Sequence, residues 1–79
     1  MSLLFNEKIK NDAKLLMKRG VVIGLAIINS ETAEIVSVFG SEVEGLNFLK
    51  SYDFKDEIKY ASTRIRLVDL VNNGCIVEV

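Results

Sequence analysis

The feature that most constrains the fold is an apolar run of eight residues, 21–28, which reads Val-Val-Ile-Gly-Leu-Ala-Ile-Ile. The run is rich in β-branched residues and too short for a typical helix, so it predicts a strand. Side chains alternate between the two faces of a strand, and here both faces are apolar. Such a strand needs cover on both sides, either from helices of its own chain or from a second copy of the chain.

A returning strand is predicted at residues 33–39, because residues 29–32, Asn-Ser-Glu-Thr, have turn chemistry. The smaller face of the first strand, together with the returning strand beside it, is where we expect a second copy to bind. The residues predicted to form this homodimer interface are Val22, Ala26, Ile28, Val36 and Val38.

Helical periodicity is clearest at residues 3–19, where apolar residues recur every three or four positions. Ser2 is the expected N-cap, and Gly20 stands where helices commonly end. A second helix is predicted at residues 42–52. Its start carries the capping-box pattern of Ser41 and Glu44. The side chains expected to be buried on this helix are Val43, Leu46, Phe48, Leu49 and Tyr52.

Residues 55–72 are ambiguous between helix and strand. Apolar residues at helical spacing favour a third helix, whereas residues 63–67 alternate as a strand does. With the helix preferred, residues 75–79 become a short terminal strand with Cys75 buried. The prediction is therefore one compact α+β domain over residues 1–79, in the order α-β-β-α-α-β. Its three-stranded, mainly antiparallel sheet combines the hairpin with the C-terminal strand, in the order 2-1-3, and helices pack on it.

The composition of the 79-residue chain argues against most enzyme classes. It has no His and a single Cys, which excludes Ser-His-Asp and Cys-His catalysis and zinc sites that use His or several Cys. The carboxylates Asp53, Asp56 and Glu57 lack the spacing and glycine of a calcium loop and are more typical of helix capping. No phosphate-binding glycine motif is present. We therefore expect no catalytic residue, no cofactor and no metal.

Charge is segregated along the chain, although the formal net charge is only −1. Residues 1–20 carry five basic and two acidic side chains, and residues 21–49 carry four Glu and no base. Two of those, Glu42 and Glu44, suit the start of the second helix. The basic residues of the first helix suggest an alternative function, the binding of a nucleic-acid backbone. The residues concerned are Lys10, Lys14, Lys18 and Arg19.

A second basic group contains Lys55, Lys59, Arg64 and Arg66. If this segment were a strand, Arg64 and Arg66 would lie on one side of it and could recognise a phosphate or carboxylate.

The sequence as a whole favours a small, non-enzymatic interaction or regulatory protein that forms a homodimer and binds a protein partner. No run is long enough to span a bilayer and no signal-peptide pattern opens the chain, so we expect a cytoplasmic protein. Its brevity and its Ile, Lys and Asn content are typical of an accessory protein of a phage or mobile element. The alternative function is nucleic-acid binding through the first helix.

Overall fold

The fold is α+β, as predicted, with a three-stranded antiparallel sheet. The computed structural model describes residues 3–51 and 59–79. In chain order the elements are α1 (Glu7–Lys18), β1 (Ile23–Asn29), β2 (Glu34–Phe39), α2 (Glu42–Ser51), β3 (Tyr60–Arg66) and α3 (Leu67–Val71). The strand order is β2-β1-β3, which places the apolar strand at the centre.

The first helix begins four residues later than predicted. Asn6 is its N-cap, and the Asn6 Oδ1 accepts a hydrogen bond from the Ile9 N–H at 3.1 Å. The cap predicted from sequence, Ser2, lies outside the described residues. The predicted end is confirmed: α1 stops at Lys18, and Gly20 has a φ of 88°, a left-handed conformation that glycine adopts without steric cost.

The preference for a helix over residues 55–72 was wrong for the part of that segment that the structure describes. Residues 60–66 form β3, which pairs with β1 along its whole length, from Arg66 opposite Ile23 to Tyr60 opposite Asn29. A short helix, α3, follows. The element order is therefore α-β-β-α-β-α. The reason is that β1 has backbone N–H and C=O groups along the edge that β2 does not occupy, and β3 pairs with them.

The C-terminal segment takes a smaller part in the sheet than predicted. Residues 75–79 form no regular strand, and their link to the sheet is an isolated antiparallel bridge between Glu78 and Ile65 of β3. Cys75 is exposed rather than buried, because the regular pairing expected of this segment belongs to β3 instead.

Helices of the same chain cover both faces of the sheet. On one face, α1 and α3 bury a core with β1, β2 and β3. Its buried members are Ile9, Ala13, Ala26, Ile35, Val38, Ile65, Leu67 and Leu70. On the opposite face, α2 packs against β1 and β2, and the rings of Phe39 and Phe48 have their centroids 5.1 Å apart.

The contact side of α2 differs from the prediction. Gly45 is its buried residue, because the backbone there lies directly against the Leu25 side chain. Val43 and Leu46, which were expected to be buried, are 68% and 47% exposed. Phe48 and Leu49 are half-buried, and Tyr52 lies outside the described residues. The predicted capping bond is present, since the Ser41 Oγ accepts from the Glu44 N–H at 3.3 Å. No helix in the described ranges is long and apolar enough to cross a membrane.

Candidate interaction surface

The five residues predicted to form a dimer interface do not make one surface. Ala26 is fully buried and Val38 is 7% exposed, both in the core beneath α1 and α3. Val22 precedes β1 and is 70% exposed, while Ile28 and Val36 are half-buried. The smaller face of β1 is therefore covered by helices of its own chain, which was the other possibility that its apolar character allowed.

The outer edge of β2 is covered over the first part of its length. The Leu4 N–H donates to the Ala33 carbonyl at 2.9 Å, and the Ile35 N–H donates to the Leu4 carbonyl at 2.8 Å. This pairing is local, since Leu4 forms an isolated parallel bridge with Glu34. The N-terminal segment thus protects the beginning of β2.

Further along β2, the strand register identifies an open stretch at Val38. The Arg64 carbonyl accepts from the Val79 N–H at 2.8 Å, so the Arg64 backbone points away from β1. Leu25, opposite Arg64, must then direct its backbone groups toward Phe39 of β2. Val38 is the preceding residue, so its N–H and C=O point outward. Within the described part of the chain, no segment pairs with β2 at Val38.

A groove of about 200 Å³ lies beside this open stretch, between α1 and α2. We call it the β2-edge groove. It is lined by Val38, Phe39 and Gly40, by Asp12, Leu15, Leu16 and Arg19 of the α1 segment, and by Glu44 of α2. The groove therefore combines unpaired backbone groups, aliphatic side chains and charges of both signs.

The α1 side of the groove is a narrow stripe. Asp12, Leu15 and Arg19 are separated by three and four residues, which places them nearly in line at about 3.6 residues per turn. Leu15 is 55% exposed. Asp12 lies 4.0 Å from the Lys8 ammonium, at the limit of an ion pair. Among the described carboxylates, none is within ion-pairing distance of Arg19.

The four basic residues considered for nucleic-acid binding divide between two sides of α1. Arg19 lines the β2-edge groove with Asp12. Lys10, Lys14 and Lys18 follow one another at four-residue spacing along a different side, where Lys14 and Lys18 are exposed and Lys10 is half-buried. No carboxylate in the described ranges forms an ion pair with any of these three lysines.

The second basic group is partly engaged within the fold. Arg64 and Arg66 are both on β3, two residues apart, as the strand interpretation required. Arg66, however, is paired with Asp69: its Nε donates to Oδ2 at 3.2 Å and its Nη2 to Oδ1 at 3.1 Å. Lys59 is exposed just before β3, and Lys55 lies outside the described residues. These residues therefore do not form a free two-arginine site.

Asp69 was not singled out from sequence, yet it is the charged residue that the described part of the chain buries, with 8% exposure. Besides Arg66, its carboxylate accepts a hydrogen bond from the Val77 N–H at 3.1 Å. The Val77 bond contributes most to lowering the pKa of Asp69, partial burial opposes it, and Arg66 lowers it further. Asp69 thus ties the C-terminal segment to the β3–α3 junction. The sequence signal was the three-residue spacing from Arg66.

The described residues contain no group of three or more His, Cys, Asp or Glu side chains placed to hold a metal ion. The carboxylates considered for such a site, Asp53, Asp56 and Glu57, lie outside the described residues.

Comparisons of the chain with protein-family models, with curated proteins and with solved structures find no match.

Proposed function

We propose that this protein is a non-enzymatic interaction protein that acts as a homodimer, and that two copies pair through the β2-edge groove. The observation that carries the proposal is the open backbone of Val38 beside an exposed stripe of α1. Open strand edges are ready templates for pairing with another chain.

A two-fold axis perpendicular to the sheet, passing near Val38, would join the two β2 strands antiparallel into one six-stranded sheet. Such an interface is isologous, so each copy contributes the same residues. A two-fold axis perpendicular to the sheet places the same face of both copies on the same side of the six-stranded sheet. The α1 helices of the two copies would therefore lie side by side and antiparallel on that side.

The α1 stripe is self-complementary in that arrangement. Asp12 and Arg19 stand on either side of Leu15, so antiparallel helices bring Asp12 of one copy to Arg19 of the other, twice. Leu15 then packs at the centre. Within one chain the two charges are seven residues apart, roughly 10 Å along the helix, too far to pair with each other. Partly exposed ion pairs of this kind contribute about 0.2–1 kcal/mol each.

A protein partner of the dimer would bind elsewhere. Val43 and Leu46 are exposed on α2, whose buried residue, Gly45, faces the sheet. This aliphatic pair lies on the opposite face of the sheet from α1, so it stays accessible when the β2 edges pair. Asp69, whose pKa is lowered, is engaged with Arg66 and Val77 as a structural contact and takes no part in the proposed interface.

Sedimentation velocity over a concentration series tests the dimer, and charge reversal tests its geometry. Asp12→Arg alone or Arg19→Asp alone places like charges together at two symmetric sites. We expect each to weaken dimerisation roughly tenfold or more, which corresponds to about 1.4 kcal/mol. The double variant, Asp12→Arg with Arg19→Asp, exchanges the charges and should restore it.

The matched control is Lys50→Glu, a charge reversal at an exposed position of α2 away from the groove, which should leave dimerisation unchanged. A wild-type chain that stays monomeric at high micromolar concentration contradicts the homodimer. A dimer that both single reversals weaken and the double variant fails to restore contradicts the antiparallel pairing of α1.

A further inference from the structure

We infer that the paired α1 helices of the dimer form a binding face for the phosphate backbone of nucleic acid. The inference rests on the proposed homodimer, because the full binding face needs α1 from both copies. Its basis in one chain is Lys14 and Lys18, both exposed and separated by one helical turn, roughly 6 Å along the axis. No described carboxylate pairs with either lysine, so both ammonium groups are available to an anion.

The location of these lysines suits a face that spans both copies. At about 3.6 residues per turn, Lys18 points nearly opposite the buried Ile9, away from the sheet, and Lys14 lies next to it. Asp12, Leu15 and Arg19 occupy the side of α1 that would meet the second copy. Pairing through that side therefore leaves four lysines, two from each copy, on one continuous outer face.

The acidic residues of the chain are mostly placed elsewhere. Glu42 and Glu44 lie in the first turn of α2, which packs on the opposite face of the sheet. Glu31 and Glu34 are exposed at the hairpin between β1 and β2. Glu7, in the first turn of α1, lies on the same side of the helix as Lys14 and Lys18, two turns before Lys14. The α1 segment from Glu7 to Arg19 still has five basic and two acidic side chains, so a chain of net charge −1 presents a positive face.

The chemistry of the face favours nucleic acid over a membrane. A helix that binds a lipid surface buries an apolar side in it, but the apolar side of α1, which contains Ile9 and Ala13, is already used in the core. No aromatic side chain stands among the lysines to stack on a base. Recognition would therefore be of phosphates, without dependence on base sequence.

Fluorescence anisotropy with a labelled duplex DNA of mixed sequence, titrated at several salt concentrations, tests the inference. Four phosphate contacts predict that log K falls with log salt with a slope of about −3.6. Lys14→Gln with Lys18→Gln should lower affinity at low salt by at least tenfold while sedimentation still shows a dimer. The control Lys50→Gln, on α2, should change neither the affinity for DNA nor the dimer.

Leu15→Gln separates this inference from the dimer itself, because it weakens the proposed interface without changing charge. A monomeric Leu15→Gln variant should bind with a slope near −1.8, half that of the dimer. If the wild-type dimer does not bind DNA, or if the two lysine substitutions leave binding unchanged, the face is refuted while the dimer stands. A wild-type monomer that binds with the smaller slope refutes the two-copy face together with the dimer. Binding to anionic lipid vesicles but not to DNA also overturns the inference.

Discussion

At the scale of single residues, the fold depends on a few contacts that local sequence patterns do not reveal. Asp69 accepts hydrogen bonds from the Arg66 guanidinium and from the Val77 N–H, and so joins the end of the sheet to the C-terminal segment. Gly45 allows α2 to approach the Leu25 side chain, and Gly24 does the same for Leu67, whose Cδ2 would lie 2.5 Å from an added Cβ. At both positions a side chain would occupy the space that the neighbouring leucine fills.

Asp69→Asn should reduce stability in a pH-dependent way. The pKa of Asp69 is lowered in the folded protein, so the ionised carboxylate stabilises the fold at pH values above its ordinary pKa of 3.8. That contribution is lost as the pH falls through the folded-state pKa. Thermal unfolding should show a lower Tm for the variant at pH 7 and a difference from wild type that shrinks at strongly acidic pH. A difference in Tm between wild type and variant that stays constant down to strongly acidic pH would contradict the role given to this carboxylate.

Gly45→Ala should destabilise the protein although alanine favours helices. The gain in helix propensity is at most about 1 kcal/mol, whereas a Cβ at this position meets the Leu25 side chain, and overpacking of a core costs about 1–3 kcal/mol. Gly74→Ala is the control, because nothing lies within 4 Å of a Cβ there. Urea unfolding should show a lower midpoint for Gly45→Ala and little change for Gly74→Ala. Equal midpoints would show that Leu25 moves aside without cost.

At the scale of elements, the parts specified by local sequence were predictable and the part specified by pairing was not. The apolar periodicity of α1, the turn at Asn29 and the Ser41 cap each depend on residues close together in the chain, and all three are present. Residues 60–66 carry both a helical spacing and a strand alternation. Strand propensity depends strongly on neighbours, and here the free edge of β1 decides the outcome. The start of α1 was misplaced because the caps Ser2 and Asn6 have similar chemistry.

The N-cap of α1 gives a direct test at this scale. Asn6→Ala removes the acceptor of the Ile9 N–H and should cost about 1 kcal/mol, because α1 carries core residues and its fraying affects the whole fold. Asn6→Asp keeps an acceptor at the same place and should stay close to wild type in urea unfolding. Ser41→Ala, at the cap of α2, should cost a similar amount. If alanine and aspartate at position 6 were equally destabilising, the cap would not be the cause.

At the scale of the whole molecule, the segments outside the sheet leave part of the β2 edge open within the described residues. Leu4 covers the beginning of β2, and Val79 bonds to Arg64 on the outer side of β3. The stretch at Val38 has neither kind of cover and faces a groove with charges of both signs. The location of this surface could not be read from sequence, since it depends on which helix covers which face. The two-sided apolar strand predicted a second copy at five residues, of which Ala26 and Val38 are buried under helices of the same chain instead.

A dimer formed through this edge should make thermal stability depend on protein concentration, because dimerisation binds the folded chain and not the unfolded one. Over a hundredfold range of concentration above the dissociation constant, each chain gains about 1.4 kcal/mol, and Tm should rise by roughly 8 °C. The Arg19→Asp variant should show this rise in Tm only at protein concentrations roughly tenfold higher or more, and adding Asp12→Arg should return the rise to the wild-type concentrations. Calorimetry measures this without reference to molecular shape. A wild-type Tm that is constant over the range would mean that the folded chain gains nothing from a second copy, and that the open edge at Val38 is tolerated by the monomer.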